Sequence, residues 1–375
     1  MSGFDLSGAR RLVVKVGSSL LIDDDGRVHR GWLEGLAEDV AMLQRDGHEV
    51  LIVSSGAIAI GRTVLGIELR RARLEDLQAA AAAGQVQLVH AWQDCLGKHG
   101  IVAAQILLTP QDTENRRRFL NARGTLARLI EQHVVPVINE NDTVATDEIR
   151  YGDNDRLAAR VAQLVMADAL ILLSDVDGLY SSDPGRDAGA QHIPDVPRIT
   201  DEVLRMAGET RSAIGRGGMA TKVQAARIAT HAGCVTVIAS GAIDRPLEAL
   251  SGGARCTVFR ADASPAAARK QWLAGVLEIC GELQLDDGAI RALGEGRSLL
   301  PVGVVEVRGN FRRGDVVTLV DAGGRELGRG LAEYSDEEAR RLVGCRSTEI
   351  EERLGYRGRS VMVHRDDLVV FDHGR

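Results

Sequence analysis

VVPVINENDTVATDEIRYGDNDRLAARVA, running from Val134 to Ala162, is the stretch on which the reading of this chain turns. Its apolar, β-branched opening to Ile138 has the composition of a buried strand and runs into a polar loop, Asn139-Glu140-Asn141-Asp142. A short strand-like excursion to Tyr151 follows. Gly152-Asp153-Asn154-Asp155 then opens a helix whose apolar residues Leu157, Ala158, Val161, Ala162 and Leu164 recur at helical spacing. Two clusters of carboxylates and carboxamides thus stand at a strand end and a helix start, where open α/β sheets bind ligands. Taken singly, either cluster would also serve as a helix cap or a solvated turn. Taken together they suit a ligand with hydrogen-bond donors and a positive charge, because asparagine offers both polarities and aspartate accepts from an ammonium.

Outward from this stretch the same unit of strand, small polar turn and helix repeats. Residues 11–16 read as a strand ending at Gly17-Ser18-Ser19, and residues 49–53 as a second ending at Ser54-Ser55-Gly56-Ala57. Helical periodicity covers 32–43, 74–96 and 114–130, with Pro110 at a helix start, and strands are expected at 102–108, 169–173 and 234–239. Strands that alternate with helices in this way predict an α/β fold, a three-layer sandwich with a mainly parallel sheet covered on both faces.

Two loops have the composition of anion sites. Gly17-Ser18-Ser19 leaves backbone N–H groups and hydroxyls free beside Lys15, although a plain strand-to-loop turn has the same composition. Gly215-Arg216-Gly217-Gly218-Met219-Ala220-Thr221-Lys222 leads into a helix at 222–231, and its glycines permit close approach of a phosphate to a helix start. It is not a Walker A loop, since GxxxxGK[ST] is absent. Only four of the 46 basic residues are lysines, Lys15, Lys98, Lys222 and Lys270. Two of these four fall at the glycine turns, where a compact ammonium fits better than a planar guanidinium. The run Arg116-Arg117-Arg118 reads as a solvated face.

Composition narrows the function classes. A formal charge of -7 and 3% aromatic residues argue against a general binder of nucleic acid or anionic membrane. No apolar run approaches the roughly 20 residues that cross a bilayer, and the N-terminal residues lack a signal-peptide core, so a cytoplasmic location and no membrane contact are expected. Cys95, Cys234, Cys256, Cys280 and Cys345 show neither a CxxC spacing nor Cys/His pairing and read as small buried apolar groups. The Ala/Pro/Arg-rich residues 261–274 mark a boundary, beyond which short glycine-punctuated segments indicate a small β-rich domain and then a tail with a strand candidate at 360–363.

In this order, the segments LVVKVGSS, IVSSGAIAIG, LLTPQD, RFLNAR, PVINENDTVAT, YGDNDRLAA, SDVDGLY and GRGGMATK, followed by SLLPVGVVEVRGNFRRGD and HRDD, resemble the glutamate 5-kinases. These form a branch of the amino acid kinase family that carries a C-terminal PUA domain. The resemblance implies a catalytic domain at 1–262, a linker at 263–280, a β-rich PUA domain at 281–358 and a tail at 359–375. It implies ATP-dependent phosphorylation of the γ-carboxylate of L-glutamate, giving L-glutamyl 5-phosphate and ADP, the first step of proline biosynthesis. Lys15 and Lys222 then act on the transferring phosphoryl group, with Asp155 holding both ammonium groups, and Mg²⁺ bridges the ATP phosphates with no protein ligand assigned to it. Ser55, Asp142 and Asn154 match the family's glutamate-binding positions. Lys15, Ser174, Asp175, Arg216, Gly217, Gly218, Met219, Ala220, Thr221 and Lys222 match its ATP-binding positions. Two residues depart from the pattern: Ser54 and Arg216 stand where relatives often have threonine.

The same resemblance implies a homo-oligomer, a dimer or tetramer, feedback inhibition by proline, and a glutamyl phosphate reductase as a partner. The competing acceptors are those of sister kinases: N-acetylglutamate, carbamate, aspartate or a nucleotide. Asp142 favours a free α-amino group over an acylated one. PUA domains are commonly RNA modules, but residues 281–356 hold 11 Arg and no Lys against 15 Asp plus Glu, a balance of -4 that does not suit phosphate contacts.

Overall fold

The computed structural model describes residues 4–23, 25–144, 154–208, 218–275 and 278–371. Tyr151, Gly152, Asp153, Gly215, Arg216 and Gly217, singled out above, lie outside the described residues. The chain forms two compact units: Met1–Glu114 with Asn121–Pro265, and Asn115–Leu120 with Ala266–Arg375.

The first unit contains β1 (Arg11–Val16), β2 (Glu49–Ser54), β3 (Ala103–Leu108), β4 (Val135–Glu140) and β5 (Ala169–Ser174). It continues with β6 (Leu179–Tyr180), β7 (His192–Ile193), β8 (Asp195–Val196), β9 (Val235–Ser240) and β10 (Cys256–Phe259). Eight of these form one sheet in the order β3-β4-β2-β1-β5-β9-β10-β8, while β6 and β7 pair separately. Every neighbouring pair in the large sheet is parallel except β9 and β10. All six residues of β5 and the last five of β1 are buried, as parallel strands covered by helices on both faces require. The expected fold class is therefore the observed one.

The strand order places the site. From β1 the chain moves to one side through β2, β3 and β4, and then returns with β5 to the other side of β1. Strand order reverses at that point, and the crevice at the carboxyl ends of the flanking strands is open to a ligand. The helix Asn154–Val165 packs against β1, β2, β4 and β5 and against the helix Met219–His231, so its amino end lies at the crevice.

The helices Ala57–Leu65 and Leu74–Gly97 cross at backbone contact. A Cβ on Gly61 would fall 1.7 Å from the Ala80 carbonyl oxygen, and one on Gly84 would fall 1.8 Å from that of Ala57. No side chain fits either position, and this crossing seats Gln85, the next residue, on the buried face of its helix.

The expected helix over 114–130 is present and starts two residues later. Pro110–Glu114 is one helix and Arg116–Glu131 the next, because the Asn115 Oδ1 accepts from the Arg118 N–H at 3.1 Å and so caps a new start. All five cysteines are free and four are buried. Among the described residues no helix is long and apolar enough to cross a membrane.

The second unit is built on a five-stranded sheet of β11 (Gly281–Leu285), β12 (Val304–Gly309), β13 (Val316–Val320), β14 (Glu326–Leu331) and β15 (Leu368–Val370). Its order is β12-β11-β13-β14-β15, and only β11 and β13 run parallel. Leu283, Phe311, Leu319 and Val363 lie in its core. Within residues 261–274, read above as a boundary, the structure has the helix Pro265–Gly275, whose Leu273 is fully buried with Leu120, Val316 and Leu331. The strand candidate at 360–363 supplies one bridge, Leu299 to Val363.

Candidate active site

Three charged side chains from three distant segments meet inside the first unit. Lys15 lies near the end of β1, Asp155 in the first turn of the helix Asn154–Val165, and Lys222 in the first turn of the helix Met219–His231. The Lys15 Nζ is 2.6 Å from Asp155 Oδ1, and the Lys222 Nζ is 3.2 Å from Asp155 Oδ2. The Thr221 hydroxyl donates to the same Oδ2 at 2.9 Å. Relative exposure is 6% for Lys15, 5% for Lys222 and 1% for Asp155. Burial opposes ionisation of the Asp155 carboxyl, but the two ammonium groups outweigh it and hold the carboxyl below the usual carboxylate range. Among the described residues, one carboxylate against two ammonium groups leaves a surplus of positive charge out of water. Such a surplus is costly unless an anion joins it.

Beside this cluster lies an uncharged relay. The Asn154 Nδ2 donates to the Ser54 carbonyl at 3.2 Å, to Ser55 Oγ at 2.8 Å and to Asn139 Oδ1 at 3.0 Å. The Asn139 Nδ2 in turn donates to Gln85 Oε1 at 2.8 Å. Ser54 is anchored from the other side by the Trp92 indole, which donates to its hydroxyl at 3.0 Å. The turn after β2 depends on Gly56, which adopts a φ of 101° and starts the next helix; a Cβ there would sit 3.1 Å from Ile22.

Asp142 opens a one-turn 3₁₀ segment after β4 and is 92% removed from solvent. It lines a hollow shared with Gln85, Gln105, Glu140 and Thr143. Burial, reinforced by the Glu140 carboxylate, pushes its carboxyl up to about 7. Ser174 follows the Leu173 that pairs with Val16, so it lies at the carboxyl end of the sheet next to β1, and its hydroxyl donates to Asp175 at 2.8 Å. Gly218, Met219 and Ala220 form the start of the helix that carries Thr221 and Lys222.

The structure thus joins Lys15, Asp155, Thr221 and Lys222 directly, and joins Ser55 to Asn154. Asp142 stands in the neighbouring hollow, reached through Gln85 and Asn139. Arg216 and Gly217 lie outside the described residues.

The sequence pattern of the amino acid kinase family matches residues 10–240, and that of the PUA domain matches residues 281–354. Glutamate 5-kinase of Paramagnetospirillum magneticum is 56% identical over 97% of this chain and 99% of its own length. That of Rhizobium rhizogenes is 54% identical over 96% and 93%, and that of Rhodopseudomonas palustris strain HaA2 is 56% identical over 96% and 96%. The chain belongs to the glutamate 5-kinases of the amino acid kinase family. For a kinase of this branch the buried ammonium pair lies where an open α/β sheet receives its ligand, at the reversal of strand order.

One residue of this kinase's site was not singled out from the sequence. Gln85 sits in LEDLQAAAAAGQVQLVHAW, four residues after buried Ala81 and three before buried Leu88. A polar residue on the apolar stripe of a helix is the signal that would have found it, because such a side chain is buried only with a partner.

Proposed function

We propose that this chain transfers the γ-phosphoryl group of ATP to the γ-carboxylate of L-glutamate, forming L-glutamyl 5-phosphate and ADP. The observation that carries this reading is the buried pair of ammonium groups sharing one carboxylate. The attacking carboxylate is already ionised, its ordinary pKa being about 4.3, so no general base is needed. Its oxygen forms a bond to the γ-phosphorus while the bond to the bridging oxygen breaks and its electron pair leaves with ADP. The obstacle is repulsion between two anions, followed by spread of charge over the transferring group. Lys15 and Lys222 counter both, and Asp155 fixes them so that no reorganisation is needed as charge moves. Ser174, Asp175 and the loop from Arg216 to Lys222 are assigned to the nucleotide.

A Mg²⁺ ion would supply further charge neutralisation on the nucleotide. No protein ligand is assigned to the ion, which would be carried on the ATP phosphates. Asp142 is assigned to the α-ammonium of glutamate, with Ser55 and Asn154 completing the grip. Proline, which carries the same charged end without the γ-carboxylate, is assigned to the same pocket as a competitor.

Trapping the labile acyl phosphate with hydroxylamine tests the reading. Glutamate, ATP and Mg²⁺ together should yield glutamyl hydroxamate and ADP in equal amounts, and proline should raise the apparent KM for glutamate. ADP release without hydroxamate, or a preference for N-acetylglutamate, carbamate, aspartate or a nucleotide, would sink the assignment. An unchanged glutamate KM and kcat in the presence of proline would remove the competitor alone.

A pH dependence follows from Asp142. Its carboxyl titrates at about 7 in the absence of a ligand, so the anion that an ammonium needs is scarce below that pH and dominant above it. The kcat/KM for glutamate should therefore rise about tenfold from about pH 6 to about pH 8, and Asp142→Asn should flatten the profile at its low end. A wild-type profile that is level or falling over this range rules out the titration.

A further inference from the structure

The geometry points to Gln85 as a substrate-binding residue whose Nε2 donates to the α-carboxylate of the amino acid held by Asp142; this rests on the glutamate reading above. Two backbone groups decide the matter, because their hydrogen-bond polarity cannot be reversed. The Ser54 carbonyl can only accept, so the atom of Asn154 that faces it at 3.2 Å is Nδ2. The same nitrogen faces Asn139 at 3.0 Å, and the Glu140 N–H, which can only donate, meets the same Asn139 atom at 2.9 Å. That atom is therefore Oδ1, and the other end of the Asn139 amide is Nδ2. Asn139 Nδ2 requires an acceptor, so the Gln85 atom 2.8 Å away is Oε1. The remaining Gln85 atom is then an NH₂ group, whichever way a free amide might have been turned.

Among the described residues that Nε2 has no hydrogen-bond partner; it is buried and belongs to a side chain that lines the hollow of Asp142. Buried donors without partners are rare in folded proteins. The Asn154 Oδ1 at the other end of the relay is likewise buried and, among the described residues, unpartnered. Ser55 Oγ accepts from Asn154, which leaves its hydroxyl proton free to donate. The hollow thus has a donor at Gln85 and an acceptor at Asp142, and the relay beside it adds a donor at Ser55 and an acceptor at Asn154. That is the complement of a zwitterion. The α-ammonium and α-carboxylate share one carbon, so a ligand that places its ammonium on Asp142 brings the carboxylate into the same hollow.

The test compares L-glutamate with its α-carboxamide, which keeps the α-ammonium and the γ-carboxylate but loses the charge that Gln85 would meet. Gln85→Leu, near in volume and without a donor, should raise the glutamate KM roughly tenfold to a hundredfold, the range for a hydrogen bond to a charged group. The ATP KM should stay within about twofold, and the KM or inhibition constant of the α-carboxamide should change several-fold less than that of glutamate. Equal losses for the two ligands would reduce Gln85 to a brace for Asn139, and unchanged values for both would remove it from the site. Either result overturns the inference. Gln85→Met serves the same comparison if Gln85→Leu fails to fold by circular dichroism. Absence of glutamyl hydroxamate from the wild-type protein would instead defeat the glutamate reading itself.

Discussion

Lys222→Ala is expected to lower kcat by about two to three orders of magnitude, the loss found when one preorganised charge-stabilising group is removed from a transition state. The KM for glutamate should move much less, because Lys222 acts on the transferring phosphoryl group and not on the α end of the substrate. The fold should survive. In the variant Asp155 still has Lys15 at 2.6 Å, so the buried carboxylate keeps a partner and the surplus positive charge is gone. Hydroxamate formation under saturating ATP and glutamate measures the rate, and a thermal melt checks the fold. A kcat within a few-fold of wild type would take Lys222 out of the chemistry. Lys15→Ala should behave alike, with an added loss of nucleotide affinity.

Asp155→Ala should do more damage, to the fold as well as to the rate. It leaves two ammonium groups, at 6% and 5% exposure, facing each other with no anion between them. Breaking a buried pair by deleting one partner costs about 3–5 kcal/mol, because the charge left behind is uncompensated. In a unit of this size, that amounts to a melting temperature lower by on the order of ten degrees. The sign with pH follows from the direction of the carboxyl. Its pKa is lowered in the folded state, so its stabilisation is fully present above the unfolded value of about 3.9 and fades only as the pH falls through the folded value. Between about pH 5 and about pH 8 the wild-type carboxyl accordingly keeps its full contribution. Inorganic phosphate should recover part of the variant's lost stability by binding where the carboxylate was. A melt within about two degrees of wild type, unaffected by phosphate, would show that the two ammonium groups do not need Asp155.

Much of this was legible in the chain. Residues 11–16, 49–53 and 169–173 were readable as strands because parallel strands buried on both faces leave near-continuous runs of Val, Ile and Leu, and the observed β1, β2 and β5 match them to within a residue. The glycine turns, the two lysines and the carboxamide clusters were visible as residue types at element ends. The start of the helix at Arg116 was not, since its cap is one hydrogen bond that competes with helical periodicity on either side.

Local composition could place Lys15, Asp155 and Lys222 each at the mouth of an element, and motif order could assign them roles by likeness to relatives. It could not bring three segments so far apart along the chain to 2.6 and 3.2 Å. That contact comes from the reversal of strand order at β1, from the packing of the helix Asn154–Val165 on β1 and from the packing of the helix Met219–His231 on that helix. Nor could it say which way three amides point. Hydrogen-bond polarity is passed from the Ser54 carbonyl and the Glu140 N–H through side chains remote in sequence, and it exists only once those groups are folded against one another.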